Sequence, residues 1–181
     1  MDNNEALSHH DVEKLNDALA RKDVAYLFIG KGAAVLHGFP DTTQDVDIFP
    51  RKDRKNAQAL IGALTELGFT IDATTAEEIT RGKDFVQLRS GPFDVDLVFA
   101  PDGIGSFDDA WRRGVRIERF PVCALDDIIE SKRQAGRAKD RETLPRLEKF
   151  RAWAKVHVRG RAQPLGNQPG TQAAPARTPN P

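Results

Sequence analysis

The chain has 181 residues and is poor in those that staple or span: one Cys, one Met, one Tyr and two Trp. A lone Cys123 excludes an intramolecular disulfide and a cysteine-based zinc cluster, and it fits a reducing compartment. The longest uninterrupted apolar run, Val24 to Ile29, is far short of the roughly 20 residues that a membrane span needs. No membrane segment is therefore expected. The N-terminal stretch MDNNEALSHHDVEK lacks the basic residues and apolar core of a secretory signal, which predicts a cytoplasmic protein. No internal repeat of fixed period is present. There is also no excess of charge of one sign, since 27 basic residues balance 27 acidic ones. Bulk attraction to nucleic acid or to a membrane surface is not indicated.

What is there is a globular composition, 39% hydrophobic and 30% charged, at a length that suits one domain. The zero net charge hides an asymmetry. Residues 1–130 carry 24 acidic and 15 basic side chains, whereas residues 131–160 carry 3 acidic and 10 basic. From Arg161 the text reads RAQPLGNQPGTQAAPARTPNP, with five of the eleven prolines and almost nothing large and apolar to repay the entropy of ordering. The expected organisation is a domain over 1–160, helical from about 125, followed by a disordered Pro-rich tail over 161–181.

Within the domain the apolar period switches between helix and strand. Ser8 offers an N-cap before a helix that buries Val12, Leu15 and Leu19 and ends near Asp23. Val24–Gly30 reads as a buried strand, Gly32–His37 as a short helix, and Asp45–Pro50 as a strand stopped by proline. Lys55–Leu67 is an amphipathic helix that stops at Gly68. Phe85–Arg89 and Phe93–Ala100 read as a hairpin, and Val115–Phe120 as an edge strand. Leu125–Gln134 and Glu142–Val156 are helices joined through Ala135–Asp140. The order is α/β, a small mixed sheet flanked by helices, without the crossover pattern of a Rossmann fold.

Two Asp-x-Asp pairs stand out, Asp45/Asp47 in QDVDIFP and Asp94/Asp96 in FDVDLVFA. With 18 Asp in the chain, chance supplies roughly two such triplets, so the bare motif decides nothing. Both pairs, however, have an apolar residue between and after the acids, for which chance supplies only roughly 0.3. On a strand each pair projects two carboxylates from one face. Clustered like charges need a proton or a cation, and carboxylate oxygens suit Mg²⁺. Solvated outer faces of two half-exposed strands are the plainer alternative.

The corner upstream adds to this. The strand Val24–Ile29 ends in Gly30-Lys31-Gly32 and turns into a helix, leaving free backbone N–H groups where a phosphate can bind. A phosphate cradle some 15 residues before a carboxylate pair is what transfer from a nucleoside triphosphate requires.

At these residues the sequence resembles the nucleotidyltransferases of the polymerase-β superfamily, in particular the small prokaryotic branch related to abortive-infection and toxin–antitoxin proteins. The resemblance lies in LFIGKGAAVLHGFPDTTQDVDIF, then FDVDLVF, then ALDDIIESKRQAGRAKDRETL, covering 24–145. It implies the polymerase-β-like fold and an α+β domain with a helical C-terminal section. It also implies that Asp45, Asp47 and Asp96 bind Mg²⁺, as a two-ion site that activates an acceptor hydroxyl and holds the triphosphate. Asp94 shares their face as a supporting partner. Gly30 and Lys31 fall at the phosphate cradle, Lys132 matches a lysine placed to meet phosphate, and Asp140 matches an acid after the Ala-Gly-Arg turn. Taken alone, Lys132 reads as a solvated helix lysine and Asp140 as an N-cap. Lys31 departs from the family's Gly or Ser, and a lysine there either adds positive charge or obstructs the phosphates.

The activity implied is Mg²⁺-dependent transfer of a nucleoside monophosphate from an NTP, ATP among them, to a hydroxyl. A tRNA 3′ end modified by a toxin with an antitoxin partner is the first acceptor to consider. A protein side chain, a small molecule, or a degenerate domain that only binds nucleotide or a partner are the alternatives. The basic run Arg133, Arg137, Lys139, Arg141, Arg146, Lys149 and Arg151 could track RNA phosphates or be a solvated face. No aromatic-rich platform for base stacking accompanies it. His37 reads as a structural hydrogen-bonder, Thr43 as a turn former or a partner of the carboxylates, and Cys123 as a buried small residue.

Overall fold

The computed structural model describes residues 7–158 and 160–166. Helix α1 (His9–Arg21) starts at a capping box in which Ser8 and Asp11 satisfy each other's backbone N–H groups. It leads into β1 (Tyr26–Ile29), α2 (Gly30–Leu36), β2 (Asp45–Pro50), α3 (Arg54–Glu66) and α4 (Ala73–Arg81). The hairpin β3 (Phe85–Leu88) and β4 (Asp94–Val98) follows, then α5 (Phe107–Arg113) and a second hairpin of β5 (Val115–Ile117) and β6 (Phe120–Val122). Helices α6 (Leu125–Ala135) and α7 (Ala138–His157) and the strand β7 (Ala162–Pro164) complete the order.

Among the described residues seven strands form one mixed sheet in the order β3-β4-β2-β1-β6-β5-β7. β1 runs antiparallel to β2 and parallel to β6, while β2 and β4 are parallel neighbours. Parallel pairing needs a long crossover, and α3, α4 and β3 supply it. Helix α1 packs on α3 and α3 on α4, whereas α2 packs on α6 and α6 on α7. The core is aliphatic and aromatic, with Leu15, Leu19, Leu27, Ile48, Leu60, Leu64 and Leu97 wholly buried.

Two buried polar side chains lock β1 in place. The Tyr26 hydroxyl donates to Asn16 Oδ1 of α1 at 2.7 Å. Asn56 at the start of α3 accepts from the Ala25 N–H at 2.7 Å and donates to the carbonyls of Ala25 and Arg51, both at 2.9 Å. Asn56 thereby gives the Ala25 N–H its acceptor and adds a second donor to two carbonyls that already accept backbone N–H groups, Ala25 from Arg51 and Arg51 from Asp53.

Four details differ from the sequence reading. Helix α7 begins at Ala138 rather than Glu142, with Pro145 inside it. The expected connection Ala135–Asp140 is shorter than read, because Gly136 in the left-handed region ends α6 so sharply that the turn needs only Gly136 and Arg137. The expected single strand Val115–Phe120 is instead a hairpin, turned by Glu118 at φ 55, and it lies inside the sheet rather than at its edge. Residues 161–166, expected to begin the disordered tail, pair Ala162–Pro164 with β5 and rest Leu165 against the core. An extended strand needs little apolar content when a neighbouring edge supplies its hydrogen bonds; the rest of the expected tail, 167–181, lies outside the described residues. Helices α4 and α5 were not anticipated, although Asp72 and Ser106 cap their N-termini.

Candidate active site

The parallel register of β2 and β4 sets Asp45 opposite Asp94 and Asp47 opposite Asp96. Two Asp-x-Asp pairs 49 positions apart in the chain thus become one acidic patch. Oxygens of Asp45, Asp47 and Asp96 lie within 4.8 Å of one another. Asp94 stands outside this triad, 3.4 Å from Nε of Arg89. The Thr43 hydroxyl is 3.1 Å from the Asp45 carbonyl and 3.2 Å from its Oδ1, so it steadies the first carboxylate.

Gly30 is the hinge from β1 into α2 and is geometrically obligatory. Its φ of +66° is left-handed, and a Cβ there would strike the carboxylate of Asp47, lying 2.9 Å from its Cγ. Ile29 pairs with Asp47 across the sheet, so the corner of β1 and α2 meets the triad directly. The triad opens into a cleft of about 330 Å³, whose opposite side is formed by α6 and the start of α7, with Lys132, Arg137, Lys139 and Asp140 among its lining. Lys132 Nζ lies 3.0 Å from Asp140 Oδ1, and both side chains are largely buried. Asp140 sits in the first turn of α7, where Arg137 occupies the N-cap position, so its role is to hold Lys132 rather than to cap the helix.

Electrostatics single out Asp47. Burial, reinforced by the charges of Asp45 and Asp96, pushes its carboxyl up to about 7 against the opposing pull of Lys132 and Lys139. Burial also raises the Asp96 carboxyl; Arg89 opposes this, and Asp45 and Asp94 add to it. Asp96 Oδ1 is buried without an aligned hydrogen bond, although Nη2 of Arg89 stands 2.7 Å away. Three close carboxylates form a hard oxygen donor set able to hold a divalent cation.

The remaining candidates fall into place around this centre. Lys31 lines the cleft, but its ammonium is 3.0 Å from Asp41 Oδ1. Burial pushes the Asp41 carboxyl up, yet the Thr42 N–H, Lys31 and Arg146 outweigh it and hold the carboxyl below its ordinary value. His37, its pKa lowered by burial, donates from Nε2 to the Cys123 carbonyl at 2.8 Å and ties α2 to the start of α6. Cys123 is buried, its thiol pushed up to about 12 by burial, which makes it inert.

The basic run divides. Arg133 pairs with Glu130 and Glu148, Arg146 with Asp41 and Arg151 with Asp126, so these cations are occupied by the protein's own acids. Arg137 and Lys139 face the cleft. Sequence reasoning missed Arg89 altogether: it follows β3 in a position that no spacing rule marks, and only the pairing of β3 on β4 brings it near Asp96. It also missed Phe85, an aromatic that stands 44% exposed on the cleft wall.

Together these features define a mixed α/β protein with a strand-borne carboxylate triad facing a basic helical wall. No protein-family model matches the chain, and no curated protein matches it by sequence. Among solved structures it is similar to a candidate nucleotidyltransferase from Thermotoga maritima, at 16% identity over 86% of this chain and 99% of the other, with a TM-score of 0.49.

Proposed function

We propose that the chain is a metal-dependent nucleotidyltransferase that moves a nucleoside monophosphate from an NTP to a hydroxyl acceptor. The observation that carries this reading is the parallel register that gathers Asp45, Asp47 and Asp96 within 4.8 Å beside the Gly30 corner. Asp45, Asp47 and Asp96 would hold Mg²⁺, which when bound stabilises charge on the transferred phosphoryl group and lowers the pKa of the attacking hydroxyl. The chain's own groups do the rest. Gly30, lacking a side chain, lets the phosphates approach the backbone. Lys132, aimed by Asp140, and Lys139 balance the charge of the triphosphate. The acceptor oxygen bonds to the α-phosphorus as the bond to the bridging oxygen of the β-phosphate breaks, pyrophosphate leaves with that electron pair, and the hydroxyl proton passes to solvent.

The test is to incubate the full chain with Mg²⁺ and each α-labelled NTP, offering total tRNA, cell protein, or no acceptor, beside an Asp45→Ala/Asp47→Ala control. Label that reaches an acceptor with the wild type and not with the control supports the reading. Retained NTP binding with no transfer in any arm overturns it in favour of a nucleotide-binding domain.

A further inference from the structure

We propose that Arg89 is the exchangeable counter-ion of Asp96: it positions the third carboxylate until a divalent ion binds, and is then displaced onto Asp94. The inference rests on the metal-binding part of the reading above and goes beyond it, because no motif or resemblance marks Arg89.

Four carboxylates, Asp45, Asp47, Asp94 and Asp96, share one end of the β2–β4 pair. The cations on the helical wall are not equivalent to Arg89. Lys132 has its own buried acid in Asp140, so it can stay where it is as the charge of the triad changes. The Arg89 guanidinium instead spans Asp94 at 3.4 Å and Asp96 at 2.7 Å, and its other contact is a marginal one of 3.5 Å to the neighbouring Leu88 carbonyl. The contact with Asp96 Oδ1 is close but is not aligned as a hydrogen bond. The charge of Arg89 acts on the Asp96 carboxyl more strongly than its hydrogen bonding does, and charge is what a divalent cation would supply more of, without demanding a donor angle.

A cation held by the triad would stand within a few ångströms of the guanidinium, and two positive centres at that separation repel strongly in a partly buried site. Arg89 has a way out. Its side chain is 40% exposed, it follows β3 at the edge of the sheet, and Asp94, itself 48% exposed, accepts its Nε on the solvent side. Moving from a two-carboxylate fork to Asp94 alone needs only a side-chain rotation. Asp94 thereby gains a role that explains why the second Asp-x-Asp pair has two acids although the triad uses one.

The experiment measures Mn²⁺ affinity of the full chain by the electron paramagnetic resonance of the free ion. It compares wild type with Arg89→Gln, Arg89→Lys and Asp47→Asn. If Arg89 competes with the ion, Arg89→Gln binds Mn²⁺ roughly three- to tenfold more tightly, the scale of a half-exposed ion pair, while Arg89→Lys, which keeps the charge, stays within about twofold of wild type. Unchanged or weaker binding in Arg89→Gln, with binding still lost in Asp47→Asn, overturns the counter-ion role and leaves the metal site standing. Binding that survives Asp47→Asn, or no binding by the wild type, overturns the metal site itself and the inference with it. On the unmutated chain, the Arg89 Nη–H resonances, freed from Asp96, should exchange faster with water after Mg²⁺ is added, while Nε–H stays on Asp94; no change in Nη–H exchange would also count against displacement.

Discussion

Gly30 and Asp47 stand so close that a methyl group on the first would occupy the carboxylate of the second. One residue ends β1 and the other lies across from that end on β2, so the turn into α2 and the most perturbed acid of the triad are a single packing unit. Gly30→Ala therefore suffers twice, from a left-handed φ and from the collision. The expected outcome is a loss of about 1–3 kcal/mol of stability and at least a tenfold fall in Mn²⁺ affinity. Denaturant melts and a metal titration check it; an alanine variant with wild-type metal affinity would contradict the packing described.

The pH dependence follows from Asp47. Its carboxyl is raised to about 7 in the folded chain, above an unfolded value of roughly 3.9. Between those values the folded state binds the additional proton, so the stability this group contributes is complete below about pH 4 and is lost as pH rises through 7. Metal binding has the opposite sense, because the ion must displace that proton. Divalent-cation affinity should climb up to about pH 7 and then level. Without added metal, Asp47→Asn should melt a few degrees higher than wild type at pH 8 and nearly the same at pH 4, as differential scanning calorimetry would show.

Lys132 and Asp140 are expected to act as a unit. Removing either leaves the other as a largely buried, unpaired charge, which costs about 3–5 kcal/mol. Asp140→Ala should weaken NTP binding nearly as much as Lys132→Ala, and the double variant should be little worse than either single one. Isothermal titration with a non-hydrolysable NTP closes the cycle; additive losses would show that the two side chains work separately.

Asn56 lies far from the cleft and makes three hydrogen bonds to backbone groups of Ala25 and Arg51. Asn56→Ala strands the buried Ala25 N–H, while both carbonyls keep a backbone donor, and a loss of about 1–3 kcal/mol is expected, read from urea denaturation. Residual metal affinity should be unchanged in the fraction that remains folded, which separates this role from that of the triad.

Much of the site was legible because it is written in strand periodicity. Asp45, Asp47 and Asp96 each follow the alternation that puts acids on one face and Val46, Ile48, Val95 and Leu97 in the core, and the Gly30 corner precedes them in plain view. Arg89 was not legible, since its partnership depends on which strand lies beside β4 and in what register. The inner hairpin of β5 and β6 was hidden for a related reason: its turn uses Glu118, not glycine, in the left-handed region. β7 was hidden because its sequence is polar and all of its ordering comes from the neighbour it pairs with. The start of α7 was misplaced because Ala135–Asp140 reads as a connection, whereas Gly136 alone turns the chain and α7 packs on α6 from Ala138 onward.

The parallel pairing of β2 with β4 has a kinetic side. The two halves of the acid patch are separated in the chain by two helices and a strand, so no fragment containing only one of them can assemble the triad. The repulsion among these carboxylates therefore sets in together with a long loop closure, a step whose entropy is itself unfavourable. A cation that finds the triad can do so only after that closure. It would slow unfolding rather than speed folding, and the lifetime of the folded chain would report on the cation content of its surroundings.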